Sequence, residues 1–73
     1  MAYRYLVVFE KEGNTYGASV PDLPGCVAVA RTLPAVKKLI RDGIALHVED
    51  MISRGEKPPK PRARVDYVDA KVA

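Results

Sequence analysis

The chain has 73 residues, 12 Lys and Arg against 9 Asp and Glu, and a net charge of +3, and Leu, Ile, Val and Phe fill about a quarter of its positions, as in one folded domain. A domain this short hides only about 60% of the surface its unfolded chain exposes, which argues against a deep private catalytic cavity. A lone cysteine, Cys26, excludes an intramolecular disulfide, the lack of a Cys/His cluster excludes a structural zinc, and no window approaches the ~18 apolar residues of a membrane span. The opening MAYRYLVVFEKEG has no charged head, long apolar stretch or cleavage site, so a cytoplasmic protein with no membrane partner is expected. Self-association, as a dimer or tetramer, is the remaining support for so small a core.

Tyr3 to Glu10 is apolar on both alternating sets, Tyr3, Tyr5, Val7 and Phe9 on one and Leu6 and Val8 on the other, which predicts a strand covered on both faces and therefore central. Lys11-Glu12-Gly13-Asn14 carries turn chemistry. Thr15 to Val20 follows with Tyr16, Ala18 and Val20 on one face and Thr15, Gly17 and Ser19 on the other, a half-covered strand. Pro21-Asp22-Leu23-Pro24-Gly25 cannot continue a ladder and forms a rigid corner. Cys26 to Arg31 is a third strand, antiparallel to the second. Thr32 before Leu33-Pro34 marks a helix start, because its hydroxyl can cap free N–H groups where the missing proline donor costs nothing. Leu33, Val36, Ile40, Ile44, His47 and Met51 then recur at three- and four-residue steps to about Arg54, and Gly55 is the stop. Glu56 to Arg62, with three prolines, is an extended connector, and Arg64 to Val68 regains alternation as a fourth strand.

The predicted fold is therefore α+β, β-β-β-α-β, with spatial order 3-2-1-4 and one helix on one face of the sheet. The opposite face lacks a cover within the chain and is a candidate interface, with Tyr5 and Val7 as the expected oligomer contacts. Charge is localised. Residues 1–53 balance, whereas Arg54, Lys57, Lys60, Arg62 and Arg64 against Glu56 give the 54–64 segment +4. An argument for nucleic-acid binding rests on that segment, on Lys57, Lys60, Arg62 and Arg64, which lack aromatic neighbours for stacking bases.

The string from Tyr16 through Pro21-Asp22-Leu23-Pro24-Gly25-Cys26, followed by Ala28, Thr32, a helix carrying Ala35, and Gly55 with Pro59, resembles the HicB-like antitoxin family over nearly the whole chain. The resemblance implies a partial ribonuclease-H-like fold that binds and blocks a small, mRNA-cleaving HicA-like toxin. It also implies, for longer relatives, a C-terminal ribbon-helix-helix or helix-turn-helix segment for operator DNA. The present sequence ends at Ala73 without one, so residues 1–73 are read as a single HicB-like domain and no specific DNA binding is expected. The expected toxin contacts are Val65 and Tyr67 on the fourth strand and Asp22 and Leu23 in the corner. Net charge supplies no attraction to a basic toxin, which leaves apolar burial and local acids such as Asp22, Asp66 and Asp69.

The ribonuclease-H-like shape does not carry nuclease chemistry with it. Two-metal hydrolysis needs three or four converging carboxylates, and the first strand offers only Glu10 at its end; Glu49, Asp50, Asp66 and Asp69 read as solvated charges. His47 lies on the apolar stripe of the helix and Cys26 at a strand entry, both as packing residues. No catalytic residue, cofactor site or metal ligand is assigned, and the chain reads as a non-enzymatic binding module.

Overall fold

In the computed structural model, which describes residues 3–73, the elements are β1 (Val8–Glu12), β2 (Thr15–Ser19), β3 (Val27–Ala30) and α1 (Leu33–Ser53). The strands form one antiparallel sheet in the order 1-2-3. The β-β-β-α order is thus as predicted, and three features differ, the first two in topology. Arg64–Val68 joins no sheet among the described residues, so the fourth strand is absent, and β1 is an edge strand where an interior one was expected.

β1 also sits further along the chain than its apolar run suggested. Val8 pairs with Ser19 and Glu12 with Thr15, so Lys11 and Glu12 belong to the ladder and only Gly13-Asn14 turns. Gly13 has φ +61° and no non-glycine residue has positive φ among those described, the pattern of a II′ hairpin turn with glycine first. At the other end the register would set Leu6 against Pro21, which has no N–H to donate, and the Val20 N–H already serves the Cys26 carbonyl at 3.2 Å. The ladder therefore stops at Val8, and Tyr3–Val7 is irregular.

The corner satisfies its own backbone. Leu23 N–H donates to the Val20 carbonyl and Cys26 N–H to the Leu23 carbonyl, each at 3.0 Å, while Gly25 takes φ +84° to complete the reversal. This folding tucks the Leu23 side chain, 1% exposed, under the sheet. It joins Ala18, Val20, Cys26, Val36, Ile40 and Val48 in the core. One face of the sheet supplies Ala18 of β2 and, half-buried, Ala28 and Ala30 of β3; Val27 and Val29 point the other way, 68% and 66% exposed.

Helix α1 begins as its sequence directs: the Thr32 hydroxyl accepts from the Ala35 N–H at 3.2 Å. It ends in a Schellman arrangement, with Glu56 N–H donating to the Met51 carbonyl (2.9 Å), Gly55 N–H to the Ile52 carbonyl (3.0 Å), and Gly55 at φ +77°. Val36 and Ile40 are buried as predicted, Ile44, His47 and Met51 are half-buried, and Val48, outside the predicted stripe, is buried as well. The helix packs on β3 and β2 and makes no backbone approach to β1. That offset leaves the helix-side face of β1 open.

Candidate protein-binding surface

The connector after α1 is fastened to the body at three points. One Asp22 carboxylate oxygen accepts from the N–H groups of Arg62 and Ala63, both at 3.0 Å, and the Tyr5 hydroxyl donates to the Pro59 carbonyl at 2.7 Å. Prolines 58, 59 and 61 stiffen the same stretch by fixing φ. Burial, and then the neighbouring Tyr3 and Asp22, push the Tyr5 phenol above the usual tyrosine value, which keeps its proton on the oxygen that donates. Tyr3 stacks on Tyr5, ring planes 5° apart and centroids 6.4 Å apart.

Beside this fastening lies an open groove of about 1070 Å³ between the N-terminal segment with β1 and the exposed flank of α1. Tyr5, Val7 and Phe9 form one wall and Ile44, Val48 and Ile52 the other; Pro61 and Ala63 of the connector also line it. Its charged lining consists of Arg4, Lys37 and Arg41 against Glu49, and the Lys37 ammonium sits 6.0 Å from the centre of the Phe9 ring. The groove exists because α1 covers only β2 and β3. On the opposite sheet face, Val8, Val27 and Val29 surround Gly17 and Ser19 in a shallow apolar depression.

The residues singled out in the sequence fall into different places. Tyr5 and Val7 are half-buried and line the groove on the helix side of the sheet, whereas the sheet face without a cover is the one carrying Val8, Val27 and Val29. Val65 and Tyr67 stand in solvent, 73% and 97% exposed, and Tyr67 does not join the Tyr3–Tyr5 pair. Asp22 is committed to the connector backbone, and Leu23 is interior, so its side chain presents nothing to a partner. Lys57, Lys60, Arg62 and Arg64 are exposed along the extended connector. The groove is not legible in the sequence: its two walls are alternation in the N-terminal segment and a 3.6-residue stripe in α1, and no local pattern states that the helix leaves β1 uncovered.

Two further groups are packing residues. Burial pushes the Cys26 thiol upward, which disfavours the reactive thiolate, and His47 is half-buried along α1. Among the described residues no three His, Cys, Asp or Glu side chains converge as metal ligands would, and no helix is long and apolar enough to cross a membrane.

Three antiparallel strands, a tucked Pro-Asp-Leu-Pro-Gly-Cys corner and a single capped helix define a small α+β domain with an unfilled groove along its first strand. The family model for the HicB-like antitoxin of bacterial toxin-antitoxin systems matches residues 5–72, and the chain belongs to that family. An uncharacterized 14.9 kDa protein of the rep-hol intergenic region of Haemophilus phage HP1 (strain HP1c1) is 32% identical over 65 residues, covering 89% of this chain and 49% of its own length. The chain thus spans about half of that relative. No solved structure matches it significantly.

Proposed function

We propose that the chain is a non-enzymatic module that neutralises a small mRNA-cleaving toxin by covering its active site. The observation that carries this reading is the HicB-like antitoxin match across residues 5–72, nearly the entire length. The tail from Val65 onward supports it, because Val65, Tyr67 and Val68 are displayed apolar groups beside the acid Asp66. A toxin whose RNA-binding cleft is basic would meet that acid and bury those side chains. With the body neutral, most of the affinity comes from apolar contact, and binding weakens only modestly with salt.

Coexpression of the tagged chain with the product of any neighbouring gene that encodes a small basic protein tests the reading. Recovery of a stable complex and relief of growth arrest are the expected results. Failure of both overturns it. A second reading uses the basic connector, whose Lys57, Lys60, Arg62 and Arg64 are exposed on a segment already fixed to the body, as a phosphate-binding strip. Recovery of RNA alone, lost in the Lys57→Ala, Lys60→Ala, Arg62→Ala triple variant, is its signature.

A further inference from the structure

The connector reaches the groove, where Pro61 and Ala63 line it, yet no residue beyond Ala63 does. Val65, Tyr67, Val68 and Val72 are left 73%, 97%, 86% and 89% exposed. The radius of gyration, 14.6 Å, exceeds the ~11 Å of a compact domain of this length. A tail carrying four large apolar groups and a groove lined with apolar groups therefore coexist unfilled in one molecule. The fastening by Asp22 and Tyr5, with the stiff prolines, sets the direction in which the tail leaves.

We propose that, when no toxin holds the tail, two copies of this chain exchange tails, residues 65–72 of each lying in the groove and along the free β1 edge of the other. Three properties of the groove fit that occupant. Length agrees: the groove follows α1 from Lys37 to Ile52, about 22 Å at 1.5 Å per residue, and eight extended residues span about 26 Å. In the groove charge agrees in sign, since Arg4, Lys37 and Arg41 outnumber Glu49 there while Asp66 and Asp69 outnumber Lys71 in the tail; the β1 edge, with Glu10 and Glu12 against Lys11, adds no attraction. Backbone chemistry agrees as well: the side of β1 facing away from β2 has no strand partner among the described residues, and an added strand supplies one. Because each copy both gives and receives a tail, the exchange closes on a two-fold axis and stops at a dimer.

Light scattering on the isolated chain at micromolar concentration, with no toxin present, tests this independently of the antitoxin reading. The unmodified chain gives twice its 8.0 kDa mass. A tail variant, Val65→Asp with Tyr67→Asp, and a groove variant, Phe9→Asp with Ile52→Asp, each dissociate at least tenfold more readily; all four positions are exposed, and circular dichroism checks that both variants stay folded. Mixing the two variants restores a heterodimer, because one intact tail then meets one intact groove. A monomeric unmodified chain overturns the proposal, as does a mixture that stays monomeric. A dimer that survives the tail variant but is broken by Val27→Lys, as stacking of the open sheet faces requires, overturns it too.

Discussion

Asp22 joins parts of the chain that are 40 and 41 residues apart, and through it a short loop decides where the last 12 residues go. In Asp22→Ala the Arg62 and Ala63 amides lose their acceptor; both are close to water, so the cost is about 1 kcal/mol rather than that of a buried unpaired group. Hydrogen exchange should quicken at those two amides, with β2 and β3 unaffected. Tyr5 adds a pH dependence of definite sign. Its folded-state value is raised, so its contribution is fully present below the ordinary value of 10.0 and is lost as pH climbs through the folded value. Alkaline titration should release the connector, read as faster proteolysis near Pro59, and Tyr5→Phe should remove that pH step. The sequence made the corner legible as rigid, because prolines and Gly25 restrict the backbone. It did not show which way Asp22 and Leu23 would point, since neither strand nor helix periodicity applies within a corner.

At the level of elements, the helix was the most readable part because its limits are written locally, by Thr32 at one end and Gly55 at the other. Gly43 is the exception to its helix-forming composition. A Cβ built there meets only Cys26 Sγ, at 4.0 Å, an ordinary contact. Gly43→Ala should therefore stabilise the domain by up to about 1 kcal/mol by restricting the unfolded chain, visible as a higher denaturant midpoint at unchanged slope. The strands were less readable. Two-sided apolarity over Tyr3–Glu10 predicts a central strand, but the residues serve different neighbours: Tyr5 and Val7 pack against the core beside the groove, and Val8 opens onto the bare sheet face. Alternation in Arg64–Val68 is real in the sequence; whether it becomes a strand depends on a partner edge that no local pattern specifies.

The whole molecule is small, neutral over most of its length and incomplete in its packing. Residues 1–53 balance their charges, so net charge offers a partner little, and the surfaces left to bury are the apolar ones at the groove, the bare sheet face and the tail. The groove follows from the offset of α1 toward β3, a relation between elements that the sequence does not encode in any single segment. The free β1 edge carries a protective consequence of its own. It ends in Glu10-Lys11-Glu12, all exposed. Identical edges stacked in a growing fibre would pile like charge on like charge every ~4.8 Å, a repulsion renewed with each added molecule. The three charges thus disfavour stacking of β1 on its own copies, whereas a single added strand of different sequence meets them only once.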